Sequence, residues 1–161
     1  MRILHNSKEK YRRLIHMRKD DENTEFLKQI YKNAQMGCLT LEKITTMTDD
    51  DNFRNMLQTQ LDGYKEIFHK AENALDEKER PAKGVTAAQE MSTKMMINMN
   101  TMSDKSPSHL SQMLIQGSTM GIIDMTKGLQ NYDGLLPDTR QLGTSLLKSE
   151  EAYVENLKKF L

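Results

Sequence analysis

The stretch 24–47, T-E-F-L-K-Q-I-Y-K-N-A-Q-M-G-C-L-T-L-E-K-I-T-T-M, decides the fold class of this chain. Its apolar and small residues recur at steps of three and four, which places them on one face of an α-helix of about six turns. These residues are Leu27, Ile30, Tyr31, Ala34, Cys38, Leu41 and Thr45. Asn23 is the predicted N-cap, and the acidic residues 20–22 complement the helix dipole. We therefore predict an amphipathic helix over residues 24–47.

The same periodicity predicts further helices near 51–78, 107–132 and 137–160, and a shorter one near 87–102. The acidic turn 48–51 ends the first helix and caps the second, and prolines open the last two long helices. No segment alternates polar and apolar residues as a half-buried strand does. The predicted fold is all-α, an antiparallel four-helix bundle of two helical hairpins with a short extra Met-rich helix in the crossover.

Composition excludes several classes of function. The 161 residues fit one domain, and 23 Lys and Arg balance 23 Asp and Glu, so no overall charge favours nucleic acid. No apolar run is long enough to span a bilayer, and we see no secretory signal. The single cysteine, Cys38, excludes a disulfide within the chain. We expect a reducing, cytoplasmic location.

The N-terminal residues 1–20 differ from the rest in charge. Residues 1–19 contain seven Lys and Arg but only one acidic residue, Glu9. We expect a basic leader that is disordered or forms a short helix, followed by a single helical-bundle domain over 21–161. An alternative is a basic amphipathic helix that binds an anionic surface, since apolar residues there could share one face.

One carboxylate on each predicted long helix points toward the bundle interior or its edge: Glu42, Glu72, Asp124 and Glu150. This is the pattern of a carboxylate-bridged bimetal site for Fe or Mn, although the usual histidine partners are missing. Polar pairing or partial exposure of these carboxylates is the favoured interpretation, and the metal site is the alternative. A Glu-x-x-His motif, Glu66 to His69, has the spacing of a metal site. On the helical wheel it faces away from the apolar stripe, so we predict that both side chains are exposed and metal-free.

Two further patterns concern helix packing. Met91, Met95, Met99 and Met102 share one face of the short helix, which favours a core or docking surface, with Cu(I) binding and a groove for a partner helix as alternatives. The second pattern is a stripe of small residues on helix 107–132: Gly117, Gly121 and Gly128. We predict that this stripe lies against another helix at close approach, because no side chain protrudes from it.

Four segments resemble a group of uncharacterised bacterial four-helix-bundle proteins related to the ferritin-like superfamily. The segments are 31–37 (YKNAQMG), 60–68 (QLDGYKEIF), 115–124 (IQGSTMGIID) and 156–161 (NLKKFL). The resemblance covers about residues 24–161 and implies a ferritin-like bundle. It implies no activity, and the missing inward Glu-x-x-His departs from di-iron members.

These patterns favour a non-enzymatic helical bundle that acts through protein contacts. The partner is another protein or a second copy, in a homodimer formed around the Met-rich helix and helix 107–132. The sequence contains no phosphate-binding fingerprint, and nothing in it suggests a nucleophile–base pair, so we expect no catalytic residue and no cofactor. The alternatives are a degenerate ferritin-like metal protein and a copper-binding protein.

Overall fold

The computed structural model describes residues 2–78 and 104–161, with side chains described from Lys8 onward. The described residues form an all-helical bundle of four long helices. These are α1 (Arg2–Thr45), α2 (Asp51–Asp76), α3 (Pro107–Asn131) and α4 (Pro137–Leu157), followed by a short 3-10 turn, Lys158–Phe160. The predicted short helix near 87–102 lies outside the described residues.

The first helix starts earlier than predicted. α1 runs without a break from Arg2 and is about 66 Å long at 1.5 Å per residue. Residues 1–19 contain no proline or glycine that would interrupt it. Asn23 is therefore an interior residue and not an N-cap. It is fully buried, and its Oδ1 accepts a hydrogen bond from the backbone N–H of Leu136 at 3.0 Å.

The other helix starts follow the predicted signals. Asp50 caps α2 by accepting a hydrogen bond from the backbone N–H of Phe53 at 2.8 Å. Ser106 caps α3 in the same way for His109, at 3.3 Å, and Pro107 occupies the first turn. Each cap satisfies a backbone donor that the first helical turn leaves without a partner.

The core lies between all four helices. α1 packs most extensively on α2 and α3 on α4, while α1 and α4 join the two pairs. The largest fully buried side chains include Phe26, Leu41, Phe53, Met125 and Leu146. Among the helices at 2–78 and 104–161, none combines the length and apolar character needed to cross a bilayer.

Candidate functional site

A cavity of about 620 Å³ lies along the seam between α1 and α3. Its size is within the range of small-molecule sites. The apolar part of its wall comes from both helices and includes Met36, Leu41, Ile44, Met113, Leu114 and Met125. Polar groups from three helices also line the cavity, namely Tyr64 of α2, Asp124 of α3 and Glu150 of α4.

Glu150 is the central polar group of this cavity. Its residue is 1% exposed, and its Oε1 accepts a hydrogen bond from the hydroxyl of Tyr64 at 3.1 Å. Its Oε2 is buried and has no hydrogen-bond partner in the described part of the chain. A buried carboxyl with one unsatisfied oxygen is costly, so folding alone does not account for this residue.

Burial raises the pKa of Glu150 to about 8, because the charged form loses its hydration. The hydrogen bond from Tyr64 lowers that pKa, and the negative charge of Asp124 raises it further. Burial also raises the pKa of Tyr64 and Tyr153, whose rings lie 5.2 Å apart beside the carboxyl. Near neutral pH the Glu150 carboxyl is therefore mainly protonated.

Two glycines of α3 give the neighbouring helices room. A Cβ at Gly121 would lie 2.6 Å from Oε2 of Glu150, so the missing side chain is what lets α4 place its carboxyl there. A Cβ at Gly128 would overlap the ring of Phe26 on α1. Side chains of the neighbouring helices thus fill the space beside these two glycines. The prediction of close approach is wrong for Gly117, where a Cβ would meet no described atom within 4 Å, because this glycine borders the cavity.

The four carboxylates predicted as metal ligands do not converge. Asp124 is exposed and interacts electrostatically with Glu150, so these two share one site. Glu42 is half-exposed and forms an ion pair with Lys65 of α2 at 3.1 Å. Glu72 lies 3.4 Å from Nδ1 of His69 on the bundle exterior. Within residues 2–78 and 104–161, no three His, Cys, Asp or Glu side chains are grouped as metal ligands would be.

The prediction that the side chains of Glu66 and His69 are exposed is confirmed. The side chains are 66% and 65% exposed, and Glu66 accepts a hydrogen bond from Lys70 at 2.5 Å. Cys38 is buried, and burial raises the pKa of its thiol to about 11, which disfavours a nucleophilic thiolate. The Met-rich face of residues 91–102 lies outside the described residues.

A second feature is the basic arm, which we define as residues 8–19 of α1. Every residue of the arm is exposed. Four large apolar side chains are exposed with it, namely Tyr11 at 71%, Leu14 at 55%, Ile15 at 47% and Met17 at 62%. Arg18 forms an ion pair with Glu22 at 2.9 Å, where the arm joins the bundle. Tyr11, Leu14 and Ile15 recur at steps of three and four and give the arm an exposed apolar face.

Sequence reasoning found Glu150 and Asp124 but missed the cavity and Tyr64. The stripe position of Glu150, between Leu146 and Tyr153, indicated an inward carboxyl. The signal that could have found Tyr64 is chemical: a buried tyrosine hydroxyl needs a hydrogen-bond partner, and a buried acid can supply it.

Comparison with family models, with curated proteins and with solved structures gives no significant match to this chain.

Proposed function

We propose that this chain is a non-catalytic binding protein that acts through protein contacts, with the basic arm docking on an acidic surface of its partner. The observation that carries this proposal is the exposure of the whole arm, including its apolar face. A helix that is exposed along its whole length gains little stability from packing. A partner that covers Tyr11, Leu14 and Ile15 would supply that packing.

Charge supports an acidic partner. The arm carries six Lys and Arg against one Glu. Two arms would therefore repel each other if they packed side by side. Residues 20–161 carry sixteen Lys and Arg against twenty-two Asp and Glu, once the seven and one of residues 1–19 are subtracted from the totals of 23 each. The body of a second copy thus has the charge that the arm requires.

The homodimer predicted from the sequence is one form of this contact. Met120 is 58% exposed and Ile123 is 45% exposed on α3, which supports an apolar surface there.

A cytoplasmic location and a ferritin-like arrangement of two antiparallel hairpins are parts of the same proposal. The short turn between α1 and α2 supports the first hairpin, as does the ion pair at 2.8 Å between Lys78 and Asp20.

The metal-binding alternatives remain predictions. The carboxylates that would hold Fe or Mn divide into Asp124 with Glu150 in the cavity, and Glu42 and Glu72 elsewhere. No contact among the described residues favours Cu(I) over protein binding.

The test is site-specific photo-crosslinking of the full chain in the cells that express it. We place p-benzoylphenylalanine at Tyr11, on the apolar face of the arm, and as a matched control at Glu9, about 160° away on the helix. We expect one discrete protein adduct from position 11, lost at high salt, and none from position 9. The mass of the adduct distinguishes a second copy from another protein.

Two results would overturn the proposal. One is the absence of any adduct from position 11, or equal adducts from both positions. The other is binding of the full chain to phosphatidylglycerol vesicles that is lost in Leu14→Asp, because the arm would then act on a lipid surface and not on a protein.

A further inference from the structure

The cavity between α1 and α3 contains a polar group that the bundle does not satisfy. Oε2 of Glu150 is buried and without a hydrogen-bond partner, while Oε1 of the same carboxyl is bound by Tyr64. Native proteins satisfy most of their buried polar atoms, and an exception calls for an explanation. The exception here lies in the wall of a cavity of about 620 Å³, so a bound molecule can reach it.

The part of the cavity wall at Glu150 is acidic. Asp124 lies near enough for its charge to act on Glu150, and within residues 2–78 and 104–161 no cation pairs with the free oxygen. The rest of the wall is dominated by thioether and aliphatic side chains, among them Met36, Met113 and Met125. Methionines adapt their shape to apolar ligands of different form.

We propose that this cavity binds a small aliphatic amine, whose ammonium group lies between Glu150 and Asp124 and whose hydrocarbon chain lies along the methionines. An ammonium group donates three hydrogen bonds and would satisfy Oε2 of Glu150. A carboxylate ligand would meet two acidic groups at the same place. The proposal does not depend on the basic arm, which lies outside the cavity wall.

Binding moves a proton in a defined direction. Glu150 is mainly protonated in the empty cavity at neutral pH, since its pKa is raised to about 8. Pairing with an ammonium group favours the carboxylate, so the carboxyl proton leaves to solvent as the amine binds. Affinity should therefore rise with pH, by about tenfold from pH 6 to pH 7.

Other charged and titratable groups face the same region. Tyr64 of α2 donates to the carboxyl, Tyr153 of α4 lies beside it, and Asp124 comes from α3. Lys32 of α1 and Lys127 of α3 line the cavity as well. Burial raises the pKa of both tyrosines, so they stay protonated between pH 6 and 7 and the pH response belongs to Glu150.

The test is calorimetric titration of the full chain with three probes of equal chain length: n-octylamine, 1-octanol and octanoate. We expect octylamine to bind more tightly than octanol by about tenfold or more, and octanoate to bind least. Glu150→Gln keeps the shape of the side chain and should weaken octylamine by about tenfold or more while leaving octanol unchanged. Glu151→Gln, the same change at the exposed neighbour, should change neither affinity.

A second variant keeps the test informative if Glu150→Gln fails to fold. Gly117→Leu places a side chain in open space that borders the cavity, so the fold is kept and the cavity is filled. It should weaken octylamine and octanol together. The proposal is overturned if octanoate or octanol binds as tightly as octylamine, if octylamine affinity is the same in Glu150→Gln, or if Gly117→Leu leaves all affinities unchanged. These outcomes test the amine site alone, because the crosslinking experiment on the basic arm tests the proposed function separately.

Discussion

Gly117 and Gly128 lie on the same helix, about 16 Å apart at 1.5 Å per residue, yet they have opposite surroundings. At Gly128 the ring of Phe26 occupies the space where a side chain would begin. At Gly117 that space is empty of described atoms and opens into the cavity. A neighbouring side chain therefore fills the stripe at Gly128 and leaves it open at Gly117, while both glycines line the cavity.

The difference shows that a glycine stripe has two uses. Where the neighbouring helix brings a large side chain, as Phe26 does, glycine allows close approach. Where no neighbouring side chain reaches the glycine, as at Gly117, the free space is part of the cavity. Glycine inside a helix costs about 1 kcal/mol relative to alanine, and only close approach offsets that cost by packing. The comparison therefore predicts substitutions with opposite effects along one helix.

The largest effect on stability is expected at Phe26, whose ring packs against Gly128. The residue is fully buried, and its ring lies against positions on α3 and α4 where Gly128 and Gly143 have no Cβ. Phe26→Ala should reduce the free energy of unfolding by about 3–5 kcal/mol, because neither neighbour can fill the space. Urea denaturation measures this loss, with Met17→Ala on the exposed arm as the control. A loss below 1 kcal/mol would show that the ring is not tightly packed.

The next effect is the pH dependence contributed by Glu150. The folded protein raises the pKa of this carboxyl from 4.5 to about 8, so folding favours the protonated form. Stability from this group is fully present below pH 4.5 and is lost as the pH rises through 8. Relative to Glu150→Gln, the parent should lose about 3 kcal/mol between pH 4.5 and pH 7, at 1.36 kcal/mol per pH unit. A constant difference between the two unfolding curves would contradict the burial of the carboxyl.

The third prediction compares a filled position and an open position of the glycine stripe. Gly121→Leu introduces a side chain where the Glu150 carboxyl lies, so the variant should be destabilised by about 1–3 kcal/mol through overpacking. Gly117→Leu, one turn earlier on the same helix, should not be destabilised. Thermal melts of the two variants under the same conditions decide this, and equal midpoints would remove the distinction between a filled and an open position.

Helix type could be predicted from the sequence because buried positions recur at steps of three and four over long segments. The starts of α2 and α3 were predictable for a local reason, since Asp50 and Ser106 bind backbone donors within their own first turn. The start of α1 was not. Asn23 has the side chain of a cap, but its partner is the backbone of Leu136, which is distant in sequence.

The candidate site was predictable only in part for the same reason. Periodicity placed Glu150 and Asp124 toward the interior. The structure buries Glu150 in the cavity wall, whereas Asp124 lines the cavity but is exposed. Whether Gly117 meets a side chain or open space depends on which residues of the neighbouring helices lie opposite it. Those residues are distant in sequence, so a local pattern does not reveal them. The hydrogen bond from Tyr64 to Glu150 joins residues 86 positions apart and has no local signature.

A smaller effect is expected from Gly117→Ala, which sharpens the comparison without filling the cavity. Alanine adds one methyl group into open space and favours the helix by about 1 kcal/mol. The variant should therefore be more stable than the parent by up to that amount in urea denaturation. The same change at Gly128 should be destabilising, because the new methyl group would overlap the ring of Phe26. Stabilisation at both positions would mean that Phe26 moves aside easily.

The smallest effect is expected on the outer face of α2, away from the glycine stripe. Glu66 and His69 are about two-thirds exposed, and the ion pair of Glu66 is with Lys70 on the same exposed helix face. Exposed pairs of this kind contribute little because water and salt screen them. Glu66→Gln, His69→Gln and the double variant should each shift the midpoint of thermal unfolding by less than about 1 °C, with or without EDTA. A larger shift, or one that EDTA abolishes, would indicate a metal ion at this motif. The carboxylate that contributes most to the free energy of unfolding would then be on the bundle surface, at Glu66, and not at Glu150.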